Sequence, residues 1–194
     1  PGGKLATDWL IEQGQFSSGK NVLEVACNMG RTMIQLCKRF DCKITGVDLD
    51  RKALKQAEQN IRKHHLESKL TLVHGNALAL PFADNSFDIL INEAMLTMLV
   101  GDKKDKAVKE YFRVLKPGGL LLTHDVMLLT DDKQIQKDIQ AGLSHAINLR
   151  VEPLNATGWR QVFENHHFRV QQKYGDMTLM TPSGMVHDEG FVQT

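Results

Sequence analysis

The stretch NVLEVACNMGRTMIQLCKRFDCKITGVDLD, residues 21–50, decides how the rest of the chain is read. NVLEVA (21–26) is a short apolar run rich in strand formers. In GRTMIQLCKRF, Met33, Leu36, Cys37 and Phe40 fall on one helical stripe. CKITGVDLD (42–50) is strand-like again and ends in acids. Strand, tight turn, helix and strand in this order make a βαβ unit with parallel strands and a right-handed crossover. The turn itself, ACNMG, poses the functional question. Nucleotide-binding loops at this place are usually rich in glycine, and here only Gly30 is one. Ala26 and Cys27 are small, and Asn28 is a residue type that tolerates the left-handed backbone a tight turn needs. Gly30 opens the helix, whose first N–H groups can receive an anion. A nucleotide loop and an ordinary βα turn both fit the stretch taken alone.

Working outward, the alternation continues. RKALKQAEQNIRKHH (51–65) is a helix with Leu54, Ala57 and Ile61 on one face, KLTLVHG (69–75) a third strand and SFDILIN (86–92) a fourth. A polar helix runs from Asp102 to Lys116 with Val108, Phe112 and Leu115 inward, and KPGG stops it. LLLTHDVML (120–128) is a fifth strand. DDKQIQKDIQAGLSHAINL and ATGWRQVFENHH read as helices, and FRVQQKYGDMTLM as a closing hairpin with Gly175 and Asp176 at its turn. The expected fold is α/β: a single Rossmann-like domain over 1–194, three layers deep, with a mostly parallel sheet. Residues 1–20 form an N-terminal helix or closing segment, and 127–160 a lid insertion.

Bulk properties narrow the classes. The 194 residues suffice for one α/β domain. A net charge of +1 gives no basic field, so no nucleic-acid partner is implied. The three cysteines, Cys27, Cys37 and Cys42, lack CxxC spacing, which fits a reducing, cytoplasmic compartment. No apolar run approaches the ~18 residues of a membrane span, and no signal peptide is visible. The chain opens on PGGKLATDWL without a Met, so a preceding segment stays open.

In open parallel sheets the ligand lies outside the carboxyl ends of the strands. Asp48 ends strand two, roughly 20 residues after the first loop, where an acid can grip ribose hydroxyls; the alternative, a solvated acid starting the next helix, accounts better for Asp50. Leu49 would then lie flat against a base. Asn76, after strand three, offers an amide to an adenine edge, and the Ala77 N–H a bond to a ring nitrogen; the alternative is a plain GN turn. Asn92 and Glu93 end strand four at the mouth of the cleft. His124 and Asp125 end strand five, but neighbours on a strand point to opposite faces, so they are not automatically a dyad. Met95, Met98, Met127, Met177 and Met180 read as core filler or as an adaptable pocket.

Together VLEVACNMG, ITGVDLD, HGNALALPFADNSFDIL and VLKPGGLLLTHDV resemble the class I S-adenosylmethionine-dependent methyltransferases. The nearest branch is the small-molecule one that includes ubiquinone and menaquinone C-methyltransferases. The motifs recur in the family's order from Asn21 to Val126. The resemblance implies a seven-stranded sheet whose last two strands form an antiparallel hairpin. It implies that Glu24 and the loop Ala26, Cys27, Asn28 and Gly30 contact the methionine part of S-adenosylmethionine, with Asp48 on the ribose and Leu49 and Asn76 with Ala77 at the adenine. Asn92 and Glu93 would stand beside the sulfonium, and PGGKLAT resembles a segment that closes over the site. Two of the family's three loop glycines are replaced here.

A base is needed only if the acceptor must lose a proton. His124 is the first candidate, since histidine titrates near neutrality; Glu93 and Asp125 follow. His145, Asn148 and Trp159 in the lid either approach the site or simply pack. The acceptor is expected to be a small molecule whose identity is not legible, as oligomeric state is not. Three other readings compete. A nicotinamide-dependent dehydrogenase needs G-x-G-x-x-G after strand one, which is missing. A cofactor-binding protein without transferase activity is favoured by the glycine-poor loop. For a metal enzyme, His64–His65 and His166–His167 are adjacent pairs whose side chains diverge on a helix, so no metal site is expected.

Overall fold

The computed structural model describes residues 3–175. Five parallel strands form one sheet: β1 (Asn21–Val25), β2 (Lys43–Asp48), β3 (Leu70–His74), β4 (Phe87–Glu93) and β5 (Leu115–His124), in the order β3-β2-β1-β4-β5. The helices are α1 (Gly3–Gln13), α2 (Arg31–Phe40), α3 (Arg51–Lys63), α4 (Lys103–Val114), α5 (Lys133–Ala146) and α6 (Ala156–Glu164). A second, two-stranded parallel sheet pairs β6 (Met127–Leu128) with β7 (Leu154–Asn155) and ties together the two roots of the segment carrying α5.

Strand alternation divides the core in two. On one face Val22, Ile44, Ile89, Ile91 and Leu122 pack against Leu10 and Ile11 of α1, Met33, Leu36 and Cys37 of α2, and Ile61 of α3. On the other, Leu23, Val25, Val47 and Leu90 meet Ala107, Val108, Tyr111 and Val114 of α4, and Trp159 and Phe163 of α6. Covering both faces explains why β1 and β4 are nearly continuous apolar runs. Chain order reverses between β1 and β4, so the crevice that such sheets use for ligands opens at the ends of these two strands.

Several expectations are corrected. Among the described residues the sheet has five strands and not seven. Residues 168–175, the first arm of the expected antiparallel hairpin, form no strand, and Asp176 to Met180 lie outside the described residues. KPGG does not merely stop α4: Leu115 already pairs with Phe87, and a register shift before Ile89 absorbs the turn, with Gly118 at φ 77°. Fifth-strand pairing ends at His124, and Met127–Leu128 leaves for the small sheet. Phe112 turns outward, where it meets Phe168 edge-on. α5 has no buried residue, and Ile135 and Ile139 on it are exposed. Among the described residues no helix is long and apolar enough to cross a membrane.

Candidate functional site

The loop after β1 answers the question its sequence posed. Ala26, Asn28 and Gly30 all adopt left-handed backbone, with φ of 59°, 47° and 75°. An alanine there carries a strain of about 1–2 kcal/mol that glycine escapes; asparagine tolerates the region better. What holds Ala26 in place is β2: the N–H groups of Ala26 and Cys27 both donate to the Val47 carbonyl, at 2.8 and 3.2 Å. Close approach is possible because residue 46 is a glycine. A Cβ there would lie 2.8 Å from Cys27 Sγ and 3.0 Å from Met33 Sδ. From α3, the Asn60 amide donates to the Met29 carbonyl at 2.9 Å and braces the other side of the loop.

Asp48 is built into the same loop. One carboxylate oxygen accepts the Asn28 N–H at 2.8 Å, and the other accepts the Asp50 N–H at 2.8 Å. Each oxygen keeps a further lone pair for a ligand hydroxyl. Leu49 beside it is 66% exposed, an apolar surface that water would otherwise cover. Asn76 spends its side-chain oxygen on the Leu78 N–H (2.9 Å), closing an Asx turn. Its NH2 group, and the oxygen's second lone pair, are what it offers outward. Ala77 is half-buried and packs on the α4 side of the core.

Two carboxylates share the α1–α2 face at the strand ends. Glu24 is buried, and its Oε2 has no hydrogen-bond partner among the described residues. Burial lifts its pKa well above the usual carboxylate range, and the charges of Glu93 and Asp48 add to the rise, against the Met33 N–H. Glu93 is held at both oxygens: Thr7 Oγ1 donates to Oε2 at 2.6 Å and Thr32 Oγ1 to Oε1 at 3.1 Å. His124, paired with Glu93 in register, brings Nδ1 to 4.0 Å from the same Oε2. Burial lowers the His124 pKa below its ordinary value, against the pull of Glu93 and Asp125. Asn92 is fully buried; its amide donates to the Val25 carbonyl at 3.2 Å, and its Oδ1 is unpartnered.

The structure therefore brings Glu24, Ala26, Cys27, Asn28, Gly30, Asp48, Asn92, Glu93 and His124 to one end of the sheet. Asp125 points to the opposite face, as alternation required. Its carboxylate accepts the Thr97 N–H (3.0 Å), the Thr97 hydroxyl and the Val126 N–H (2.9 Å). That use makes it an anchor for the turn Leu96–Met98. Trp159 is buried and donates Nε1–H to the Val126 carbonyl at 2.9 Å, whereas His145 and Asn148 are exposed. Burial raises the Cys27 thiol far above its ordinary range, so it is a small apolar wall and not a nucleophile. His64–His65 and His166–His167 follow the ends of α3 and α6; His64 contacts Lys38 and His166 contacts Asp105.

Sequence reasoning missed Thr7, Thr32, Gly46 and Asn60. Thr32 carried a weak signal, as a hydroxyl in the first turn of the helix after the loop. Thr7 ends PGGKLAT, the segment likened to one that closes over the site, but nothing local pointed to its bond with Glu93, 86 residues away.

Comparison with known proteins gives this geometry a family. Residues 22–119 match the family model described as a methyltransferase domain. An uncharacterized protein of Haemophilus influenzae is 55% identical over the whole chain, which covers 76% of that protein. Demethylmenaquinone methyltransferase of Listeria welshimeri is 31% identical over 86% of this chain, which spans 60% of that enzyme's length. Among solved structures, a putative methyltransferase of Bacillus halodurans superposes with a TM-score of 0.77 over 86% of this chain and 70% of its own, at 22% identity. That likeness speaks for the fold. The matched family segment begins in β1 and ends in β5, and so contains the first loop, Asp48, Asn76 and Asn92. The chain belongs to the methyltransferase domain family, the class I S-adenosylmethionine-dependent methyltransferases.

Proposed function

We propose that this chain transfers a methyl group from S-adenosylmethionine to a small-molecule acceptor, with the cofactor lying across the β1–β4 crevice. One observation carries the reading. The left-handed path through Ala26, Asn28 and Gly30 is locked to the Asp48 carboxylate, and two buried acceptors at the same strand ends, Glu24 Oε2 and Asn92 Oδ1, lack partners. Buried polar atoms without partners are rare and ask for a ligand or water. These residues fit a cofactor with a diol, an apolar base and a cationic amino acid end.

In this reading Asp48 accepts the ribose hydroxyls on its remaining lone pairs, Leu49 packs on the base, and Asn76 with Ala77 borders the base edge. Glu24 and Glu93 face the ammonium group, whose charge offsets the cost of their crowding. Asn92 and the first loop line the methionine part. When bound, the cofactor supplies a methyl group made electrophilic by its sulfonium. The protein orients the acceptor and excludes water. His124, its pKa lowered by burial, turns Nδ1 towards Glu93 and would present Nε2 to accept an acceptor proton. Asp125 acts through the Leu96–Met98 turn and not as the base. Residues 127–160 form the lid over the acceptor. A cytoplasmic setting goes with this reading.

Calorimetric titration with S-adenosylhomocysteine tests the cofactor site. Asp48→Ala is expected to weaken binding by ~1–3 kcal/mol, the scale of hydrogen bonds to a charged group. No binding by the unmodified protein would refute the reading. His124→Ala, assayed by single-turnover methyl transfer at saturating cofactor, tests the base; an unchanged rate would remove it from that role.

A further inference from the structure

α1 is anchored unevenly. Towards its C-terminal end it is sunk into the core through Leu10 and Ile11, 5% and 2% exposed, while Glu12 and Gln13 face solvent. The middle of the helix is held by polar contacts at the mouth of the crevice. Thr7 Oγ1 donates to Glu93 Oε2 at 2.6 Å, and Asp8 Oδ1 accepts from Gln35 Nε2 of α2 at 3.2 Å. Glu93 itself rises from the end of β4 and is steadied on its other oxygen by Thr32 of α2. One carboxylate thus bridges α1, α2 and the strand end that the cofactor site uses.

We propose that Thr7 is a positioning residue and that Thr7–Glu93–Thr32 is a latch coupling α1 to cofactor occupancy. The proposal rests on the cofactor reading above. The buried Leu10 and Ile11 serve as the pivot and Thr7 as the catch. The two hydroxyls fix the rotamer of Glu93, so that its charge stands beside Glu24 at the ammonium end of the ligand. Linkage makes the effect mutual. A ligand cation that orders Glu93 strengthens the Thr7 bond, and a docked α1 slows escape of the ligand. The Thr7 side chain does not touch the ligand in this scheme; its action passes through Glu93.

The test compares the unmodified protein with Thr7→Val, which keeps the shape and removes the hydroxyl, and Thr7→Ser, which restores it. Two quantities are read: the S-adenosylhomocysteine dissociation rate by stopped flow, and hydrogen exchange of the amides of residues 7–13 with and without that ligand. In the unmodified protein and in Thr7→Ser, ligand should slow exchange across α1. In Thr7→Val this protection should be lost, with dissociation faster by roughly tenfold, the scale of one bond to a charged group. Equal dissociation rates and equal protection in Thr7→Val would overturn the latch while leaving the cofactor site intact. Failure of Thr7→Ser to restore them would overturn it too, since packing would then be the cause. Absence of any ligand binding in the unmodified protein would defeat both readings. Should Thr7→Val not fold, Thr32→Val tests the other arm: the latch requires faster dissociation there as well, and an unchanged rate refutes it.

Discussion

Ala26→Gly is a substitution in the candidate cofactor loop that should stabilise the protein. With φ at 59°, Ala26 pays a left-handed penalty of about 1–2 kcal/mol, and glycine removes it. Against this, glycine loosens the unfolded chain and costs about 0.4–1 kcal/mol. The difference favours the variant by roughly 0.5–1 kcal/mol, a rise in Tm of about 1–4 °C for a chain of this size. Asn28→Gly is the internal control. Asparagine already tolerates its φ of 47°, so the relief is smaller and the net change should be close to zero. Thermal and urea unfolding of the three proteins, without ligand, give the ordering directly. S-adenosylhomocysteine affinity should stay within about twofold for Ala26→Gly, because the loop path is set by the Val47 carbonyl and Asp48 and not by the methyl group. A variant less stable than the parent by more than ~0.5 kcal/mol would refute the claim that the strand imposes strain on Ala26.

Gly46→Ala should act in the opposite sense. Its Cβ would press on Cys27 and Met33 at 2.8–3.0 Å, costing about 1–3 kcal/mol of stability and displacing the loop, so that ligand affinity falls in the same titration. Glu24→Gln should raise the stability of the ligand-free protein at neutral pH. Burial raises the folded pKa of Glu24, so its stabilising contribution is complete below the unfolded value of about 4.5 and is lost as pH climbs through the folded one. The gap between variant and parent in urea unfolding should therefore widen from pH 4 to pH 8; a constant gap would be contrary evidence. For His124 the sign reverses: its folded pKa lies below the ordinary 6.5, so a kcat/KM profile limited by this base falls on its acid limb below pH 6.5. An acid limb centred above pH 7 would assign the proton to another group.

Much of the architecture was legible because periodicity reports burial. The Met33, Leu36 and Cys37 stripe and the nearly continuous apolar runs of β1 and β4 are direct consequences of a sheet covered on both faces. For the candidate site, placement was legible where residues are tied to a strand end: Asp48, Asn92 and Glu93 stand there because the topology puts them there. Ala26 was read as small, and its left-handed backbone stayed hidden, since alanine carries no local signal for φ > 0. Leu115 was misread as helical because its partner, Phe87, lies on another strand, and pairing across chain distance overrode local propensity. Phe112 looked like core at helical spacing, yet α4 buries Ala107, Val108, Tyr111 and Val114 and leaves that position outside. The Thr7–Glu93 contact is wholly tertiary, and no window of sequence contains it.

The absence of buried residues on α5 has a consequence for how such a chain diversifies. Both halves of the core close without it, and its roots are held independently, by the β6–β7 pair and by Trp159 on the Val126 carbonyl. Substitutions along Ile135, Ile139 and their neighbours therefore carry little thermodynamic penalty. In the proposed reading, where residues 127–160 cover the acceptor, acceptor preference could change by replacing this one segment while the β1–β4 crevice stays constant. On that reading, selectivity and foldability would be carried by separate stretches of the chain.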